Sequence, residues 1–346
     1  MGVKLGNIVS GRKVELTELS GKVLAVDAYN VLYQFLSVIR GYDGTPLKDR
    51  QGRVTSHLSG LLYRTSSLME AGVKPVYVFD GRPPALKRVE IERRIKAREE
   101  AQFKYEKAKQ EGRLEEARVY AQASSRLRDY MVDGSKRLLD FMGVPWIQAP
   151  SEGEAQAAYM AVKGSAWAAA SQDYDALLFG APRLIRNVAI TGRRKLPKKE
   201  VYITVKPEVV ELNQLLGQLG ISREQLVALG ILVGTDFNPD GIEGVGPKTA
   251  LKLVKKYKTL DGAVENLKEA KFPVEPGEIA EVFLNPDVTD DYAVKWREPK
   301  ADGVIGFLCG EHNFSEERVR KALEKMSAGY EEMEKKATLE KWFKQK

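Results

Sequence analysis

Short apolar runs alternate with helical patterns over residues 22–205 of the 346-residue chain. The runs predict strands at 22–28, 74–80, 144–149, 166–171, 183–190 and 201–205. Helical patterns lie between them at 29–40, 56–71, 84–111, 113–142, 152–163 and 174–180. This alternation constrains the fold strongly, because strands joined by helices form α/β structure around a largely parallel central sheet.

After residue 206 the pattern is helical throughout. Helices are predicted at 207–217, 222–234, 247–257, 259–268, 277–284, 303–311 and 315–336. The chain therefore divides into an α/β core with flanking helices, a helical insertion at 82–137 inside that core, and a helical C-terminal part.

Acidic residues stand where the predicted strands end. Asp27 closes the run VLAV and Asp80 closes PVYVF. Ligands of open α/β sheets bind beyond the carboxyl ends of the strands, so these two side chains face the edge where a site would form. Further acidic residues follow a third strand or stand at helix boundaries, namely Asp173, Asp175, Glu152, Glu154 and Asp236.

Several of these residues also have an ordinary structural explanation. Asp27 can cap a helix beginning near residue 28, Asp80 can belong to a turn, and Ser151 with Glu154 fits a helix capping box. Their number favours a functional explanation, because seven carboxylates at one edge repel one another unless cations bind between them. Carboxylate oxygens suit Mg²⁺ or Mn²⁺, and two such ions about 4 Å apart can activate water against a phosphodiester.

Histidine and cysteine are scarce in this chain, which contains His57, His312 and Cys309. They are too few to build a Cys/His zinc site, and one cysteine forms no intramolecular disulfide. We assign none of the three a catalytic role. Catalysis is therefore expected to use carboxylates, basic residues and metal ions.

The positive charge is concentrated in the helical insertion. The whole chain has a net charge of +7, and residues 82–137 hold 16 Lys and Arg against 10 Asp and Glu, a surplus of six. Gly112 marks a turn between its two long helices. The segment fits either a solvated hairpin of mixed charge or a surface that grips a phosphate backbone.

Several long motifs together resemble those of the flap endonucleases, the structure-specific 5′ nucleases of replication and repair. They are VDAYNVLYQFL, KPVYVFDGRPPALK, APSEGEAQAAY, AASQDYDALLFG and LVGTDFNPDGIEGVGPKTA. The resemblance runs from about Gly2 to about Phe343 and is closest to the archaeal branch. It implies the 5′ nuclease (PIN-like) fold, with one nuclease domain over 1–334 and a sliding-clamp-binding tail over 335–346.

The resemblance also implies roles for individual residues. The seven carboxylates match the metal ligands of the family, with two Mg²⁺ expected per site and Mn²⁺ able to substitute. Lys87 and Arg94 match the basic residues that position the scissile phosphate. Segment 82–137 matches the gateway, or cap, for a single-stranded 5′ flap. Tyr33 matches an aromatic that stacks near the scissile nucleotide, although core packing explains it equally well, and Gly2 matches an N-terminus close to the active site.

Contacts to the rest of the DNA are implied in the same way. Residues 222–260 resemble a helix-hairpin region of helix-turn-helix type that binds duplex DNA, through Gly244, Gly246 and Lys248 and with K⁺ in the turn. Residues that match the regions holding a one-nucleotide 3′ flap are Thr55, Arg64 and Phe314. The expected DNA substrate is a branched duplex that carries a 5′ flap.

The C-terminal segment resembles a sliding-clamp binding peptide. Leu339, Trp342 and Phe343 have the spacing of a short helical turn that enters a hydrophobic groove. Lys336 stands where the family usually has Gln, which weakens the match, and packing of this segment on the chain's own core is the alternative.

The predicted function is Mg²⁺-dependent removal of 5′ flaps near the duplex junction, with weaker 5′–3′ exonuclease activity. Two alternatives remain, a related junction resolvase or exonuclease, and a non-catalytic DNA-binding clamp partner. No apolar run approaches the roughly 20 residues of a membrane span. We expect a monomer that acts in the cytoplasm and nucleoid and makes no membrane contact.

Overall fold

The computed structural model describes residues 2–41, 44–190, 192–195, 202–267 and 272–344. Its main sheet has seven strands in the order β1-β9-β6-β5-β2-β3-β4. From edge to edge these are β1 Arg12–Lys13, β9 Glu208–Glu211, β6 Arg183–Arg186, β5 Ala168–Ala170, β2 Val23–Asp27, β3 Lys74–Phe79 and β4 Trp146–Gln148. Strands β7 Gly192–Lys195 and β8 Tyr202–Val205 form a separate antiparallel hairpin.

Five neighbouring strands of the main sheet are parallel, and the two pairings at one edge are antiparallel. Strands β4, β3, β2, β5 and β6 all run in the same direction. Strand β9 pairs antiparallel with β6, and β1 pairs antiparallel with β9, with Arg12 opposite Val209. The prediction of an α/β fold with a mostly parallel sheet is confirmed.

Helices cover both faces of this sheet. In the first part of the chain they are α1 Ala28–Val38, α2 Ser56–Glu70, α3 Arg88–Gln110, α4 Leu114–Ala123, α5 Asp129–Phe141, α6 Gly153–Val162 and α7 Asp175–Leu178. They continue as α8 Leu212–Leu219, α9 Arg223–Val233, α10 Pro247–Tyr257, α11 Leu260–Glu265, α12 Pro276–Leu284, α13 Ala301–Ile305 and α14 Glu316–Lys344. Short 3₁₀ turns lie at Leu16–Leu19, Ala85–Lys87 and Val188–Ile190, and a π-helical segment lies at Gly306–Glu311.

The central strands are buried on both sides because their side chains alternate between two cores. On β3, Val76 and Val78 belong to one hydrophobic core, whereas Tyr77 and Phe79 belong to the other. Successive residues of a strand point to opposite faces, so continuous apolar runs of this kind require cover on both sides. The carboxyl ends of the parallel strands are left as the edge where polar side chains can gather.

Several local predictions differ from the structure. The strand predicted at 183–190 ends at Arg186 and is followed by the 3₁₀ turn Val188–Ile190. Strand β1 was not predicted, and no strand was predicted at Gly192–Lys195, which forms β7. The helix predicted at 207–217 is strand β9 followed by α8, because Val209 and Val210 are buried in the sheet edge. The helix predicted at 113–142 is divided into α4 and α5, and Ser124 and Ser125 end α4 with their hydroxyls bonded to backbone carbonyls of its last turn.

The two long helices of the insertion pack mainly on each other. Ala101 and Ala108 of α3 and Ala117 and Ala121 of α4 are buried between them. Small residues allow the two backbones to approach closely and leave most of the charged surface exposed. In the part of the chain that is described, no helix is both long and apolar enough to cross a membrane.

Candidate active site

Two carboxylates at the ends of parallel strands are held by backbone amides at the starts of helices. Asp27 is the last residue of β2, and its Oδ1 accepts a hydrogen bond from the Asn30 amide at 3.0 Å, which caps α1. Asp80 follows β3, and its Oδ1 accepts one from the Gly153 amide at 2.7 Å, at the start of α6. The capping role expected for Asp27 is thus present, and it occupies only one of the two carboxylate oxygens.

The loop after β5 brings a second pair of carboxylates to the same edge. Asp175 Oδ1 accepts a hydrogen bond from the Val3 amide at 2.7 Å, and Asp173 Oδ2 accepts one from Asn30 Nδ2 at 3.0 Å. Glu154 Oε1 accepts one from the Ala176 amide at 3.1 Å. The capping box considered as the structural alternative for Glu154 is not formed, because its carboxylate bonds to the start of α7 and Glu152 is the N-cap of α6.

Two basic residues at the base of α3 reach the remaining carboxylates. Lys87 Nζ forms an ion pair with Glu152 and lies 3.3 Å from Asp236 Oδ2. Arg94 Nη2 donates a hydrogen bond to Asp236 Oδ1 at 2.6 Å. Asp236 lies in the loop after α9, so this contact joins the insertion to the C-terminal helical part. The fold brings the seven predicted ligands and both predicted phosphate-positioning residues to one edge of the sheet.

The electrostatics of the cluster are those expected of buried like charges. Burial, followed by repulsion from Glu152, raises the pKa of Asp80 to about 6, and burial with repulsion from Asp236 and Asp173 raises that of Asp175 to about 7. Burial and neighbouring acids also raise the pKa values of Asp27 and Glu154 well above their ordinary values. A cluster of this kind favours either protons or bound cations.

Around Asp236, ion pairing outweighs the effect of burial on the pKa values of the charged side chains. Burial would lower the pKa of Lys87, but attraction to Glu152 and Asp236 outweighs burial and raises it. Burial would raise the pKa of Asp236, but Lys87 and Arg94 hold it below its ordinary value. The cluster thus has a protonatable side around Asp80 and Asp175 and an ion-paired side around Asp236.

The donor set fits hard divalent cations in its chemistry. All seven groups are carboxylates, the ligands that Mg²⁺ and Mn²⁺ prefer. The raised pKa values of Asp27, Asp80, Glu154 and Asp175 show repulsion between neighbouring acids that a cation would relieve. Among the described residues, no three acidic side chains are already arranged as a complete ligand set for one ion. The fit therefore lies in residue type, charge and proximity, and side-chain adjustment is required to complete the coordination.

Close packing at Gly153 fixes Asp80. A Cβ atom at residue 153 would lie 2.7 Å from Asp80 Oδ1 and 3.1 Å from the Val78 carbonyl oxygen. We expect Gly153→Ala to displace the Asp80 carboxylate and to lower the single-turnover rate roughly 10- to 100-fold, because displacements near 1 Å can have effects of that size. Gly277→Ala, at another helix start where a Cβ meets no neighbour, is the control and should cleave normally. Equal rates for the two variants would contradict the packing argument.

Of two further predicted residues, Gly2 lies next to the cluster and Tyr33 contacts the insertion. A Cβ at Gly2 would lie 2.7 Å from both Asp173 Cβ and Asp175 Oδ1, so the first described residues pack directly against the carboxylates. Tyr33 is half-buried on α1, and the guanidinium of Arg98 on α3 lies over its ring at 5.0 Å. This cation–π contact links the core to the insertion.

A cavity of about 630 Å³ opens between the insertion and the loop that follows α1. Its lining includes the basic residues Arg40, Lys48, Lys109, Arg126 and Arg128. Tyr105 and Tyr130 add aromatic surface to the same wall. Basic groups interleaved with aromatic rings are typical of surfaces that bind single-stranded nucleic acid.

The predicted duplex-binding turn is exposed at the start of α10. Gly244 has a φ of +75°, Gly246 is the N-cap, Pro247 begins the helix, and Lys248 is exposed. A Cβ at either glycine would meet no neighbour, so these glycines leave the backbone open to a ligand. Amides at a helix start can contact a phosphate.

The three residues assigned to a 3′ flap are not brought to one place. Thr55 precedes α2 and Arg64 lies about two and a half turns later, on the opposite side of that helix. The segment before Phe314 does meet the loop before Thr55, because Asn313 Oδ1 accepts a hydrogen bond from the Arg50 amide at 3.0 Å. The Phe314 region therefore meets the loop that precedes Thr55, and Arg64 is on the other side of α2 from Thr55.

The predicted clamp-binding tail continues helix α14, which extends to Lys344. The side chains of Leu339, Trp342 and Phe343 lie outside the described residues. Lys336 pairs with Glu332 at 3.1 Å on the same helix.

Sequence reasoning missed residues that connect the site. Asn30 bonds to Asp173 and lies within 3.4 Å of the Gln172 amide, so it joins α1 to the β5 loop. Arg98 and Glu90 contact other site residues from within the insertion. One feature of the sequence could have indicated Asn30. It is a polar residue three positions after Asp27, and a residue at that position lies at the same end of the helix as the capping Asp.

Family models match two parts of the chain, and known proteins are similar to it over nearly its whole length. The family model of the XPG N-terminal domain matches residues 1–101, and that of the XPG I-region matches residues 143–236. The chain is 58% identical over 335 residues to flap endonuclease 1 of Hyperthermus butylicus, covering 96% of each protein. It is 54% identical over 343 residues to flap endonuclease 1 of Pyrococcus abyssi, covering 99% of this chain and 98% of the relative. The solved structure of flap endonuclease-1 from Methanococcus jannaschii superposes with a TM-score of 0.75 at 41% identity, covering 95% of this chain and 98% of that one.

Proposed function

This chain belongs to the flap endonuclease family and is a structure-specific 5′ flap nuclease, and we propose that it cuts by hydrolysis that depends on two Mg²⁺ ions. Its task is the removal of 5′ single-stranded DNA flaps near the duplex junction during replication and repair. Cleavage leaves a 5′ phosphate, and a weaker 5′–3′ exonuclease activity accompanies it.

The observation that carries this proposal is the juxtaposition of the carboxylate cluster with Lys87 and Arg94. A protein that only binds phosphate has no use for seven acids at the contact point, because they repel the phosphate. The proposed ligands are Asp27, Asp80, Glu152, Glu154, Asp173, Asp175 and Asp236. When bound there, Mg²⁺ or Mn²⁺ supplies an activated water and positive charge for the leaving oxygen.

The chain's own residues bind and orient the scissile phosphate. Lys87 and Arg94 carry positive charge to the cluster, and a phosphate can replace the carboxylates that pair with them in the unbound protein. Arg94 suits this exchange because its planar fork bonds a phosphate through two nitrogens. Both residues then stabilise charge that develops on the phosphate in the transition state.

The insertion over residues 82–137 is proposed as the gateway for the 5′ flap. Its surplus of positive charge and the basic, aromatic lining of the adjoining cavity support passage of a single strand there. Tyr33, under Arg98 at the base of the insertion, is proposed to stack on a nucleotide beside the cut. Thr55 and Phe314 are proposed to contact the 3′ flap, with Arg64 as an outlying contact.

Duplex DNA is proposed to bind at residues 222–260. Exposed glycines before α10 and Lys248 offer a backbone surface that takes a phosphate without reading bases. A K⁺ ion in this turn is part of the same proposal.

The tail at 335–346 is proposed to bind a sliding clamp through Leu339, Trp342 and Phe343. The protein is proposed to work as a monomer in the cytoplasm and nucleoid.

A labelled double-flap DNA tests the function directly. With Mg²⁺ we expect one main cut near the junction, and with EDTA we expect DNA binding to persist without cleavage. Binding without a cut in Mg²⁺ would favour the non-catalytic clamp partner, and preferred cutting of a four-way junction would favour the related resolvase. Stepwise release of nucleotides from a blunt 5′ end as the dominant reaction would favour the exonuclease.

A further inference from the structure

We propose that Glu90 is the positioning residue for Arg94 in flap cleavage. Glu90 lies in the first turn of α3 and is only 3% exposed, on a helix whose other charged residues are largely exposed to solvent. A buried carboxylate is costly unless it is paired. Its partners therefore indicate what its burial achieves.

Two consecutive arginines of α3 pair with this carboxylate. Arg94 Nε donates a hydrogen bond to Glu90 Oε1 at 2.8 Å, and Arg93 Nε lies 2.8 Å from Glu90 Oε2. Positions three and four residues after Glu90 lie on its own side of a helix. Glu90 thus pairs with both guanidinium groups on one side of α3, with Arg94 half-buried and Arg93 exposed.

Both arginines continue from Glu90 to the loop that follows α9. Arg94 Nη2 donates to Asp236 Oδ1 at 2.6 Å, and Arg93 Nη1 donates to Asp240 Oδ1 at 2.8 Å. Glu90 therefore connects two arginine–aspartate ion pairs that tie the base of the insertion to the C-terminal part.

The two carboxylates that hold Arg94 have different proposed roles. Asp236 is a proposed metal ligand, so its oxygens are needed within the cluster. Glu90 matches no proposed ligand, and its bond to Nε occupies one edge of the fork and leaves the terminal nitrogens able to meet a phosphate. Glu90 can hold Arg94 in the same orientation before and after the substrate arrives, which spares the cost of ordering a long side chain at that step.

This inference rests on the proposed catalytic role of Arg94 and is tested with Glu90→Gln. The amide keeps the shape of the side chain and removes its charge. We expect the single-turnover rate on double-flap DNA to fall roughly 10- to 100-fold. The Kd for the same DNA in EDTA should change about threefold or less, since no phosphate contact is removed. Glu331→Gln, which breaks an exposed pair with Lys335 four residues away on α14, is the control and should cleave normally.

A double-mutant cycle separates positioning from a general effect on folding. If Glu90 acts through Arg94, then Glu90→Gln should have little further effect on the rate of Arg94→Ala. An equal fold-loss in both backgrounds, or a normal rate for Glu90→Gln, would overturn the inference. Should Glu90→Gln not fold, Glu90→Asp replaces it, with a several-fold slower rate expected because the shorter side chain holds Arg94 less well, and a full rate contradicting the role. Cleavage by the unmodified protein in the same assay keeps this outcome distinct from failure of the proposed function.

Discussion

Replacing Asp173 with alanine should abolish most cleavage while leaving flap binding intact. Loss of one ligand of a catalytic metal removes several kcal/mol of transition-state stabilisation, so we expect the single-turnover rate to fall at least about 10³-fold. The substrate Kd in EDTA should stay the same or become smaller, because one negative charge is removed from the phosphate-binding edge. The measurement pairs quenched-flow cleavage of double-flap DNA with a binding titration of the same DNA.

Folding should survive this change, which makes the result interpretable. Asp173 is half-buried and bonds to a side chain, Asn30 Nδ2, whereas Asp175 bonds to a backbone amide. Its removal also relieves repulsion on Glu154 and Asp175 in the metal-free protein. The exposed Asp287 supplies the control Asp287→Ala. Near-normal cleavage by Asp173→Ala would refute the ligand assignment, and lost DNA binding would place the residue in substrate contact instead.

Neutralising Lys87 should slow the chemical step much more than it weakens binding. Lys87→Met keeps an unbranched side chain over the Phe237 ring, above which Nζ now lies at 5.3 Å, and removes the charge between Glu152 and Asp236. We expect a single-turnover rate roughly 10²- to 10³-fold lower, the range for loss of one preorganised donor to developing charge. The Kd should rise by roughly an order of magnitude at most, as for one phosphate contact among many.

The exposed lysine Lys325 is a suitable control, because it also pairs with an acid, Glu70, at 2.8 Å. Lys325→Met should cleave and bind normally. If Lys87→Met raised the Kd strongly and left the rate at saturating enzyme unchanged, Lys87 would be a binding residue and the proposed role in the chemical step would fail.

The sequence predicted the core of the fold well because the relevant signal is local. The runs that became β2, β3 and β5 are apolar on both faces, and buried parallel strands require that pattern. Helix α10 was predicted with its observed ends, since Gly246 and Pro247 are strong start signals. Strand β1 carries no such signal in Arg12–Lys13, because its conformation comes from pairing with β9. Residues 207–217 contain a helical pattern as a whole, and their first part is a strand only because the sheet edge is there.

The candidate site could likewise be predicted only where the sequence signal is local. Its carboxylates could be predicted because each stands at the end of a strand or at a helix boundary, and parallel topology places those ends together. Their partners could not, because the contacts join distant segments. Nothing near Glu154 in the sequence indicates its bond to Ala176, and the expected capping box was a plausible local alternative. From the sequence alone, Glu90 is one surface charge among many on a highly charged helix. Its role becomes visible only when the positions of Arg94 and Asp236 are known.

The pairing of β1 with β9 has a consequence for how far the chain can fold while it is still being translated. Arg12 finds its partner only when Val209 has been synthesised, and the last acid of the cluster, Asp236, follows later still. The β2 and β3 strands can associate early, but long-range pairings of this kind form late. A nascent chain shorter than about two thirds of the protein therefore has an open sheet edge and an incomplete cluster. The nuclease can therefore become active only after most of the chain has been translated.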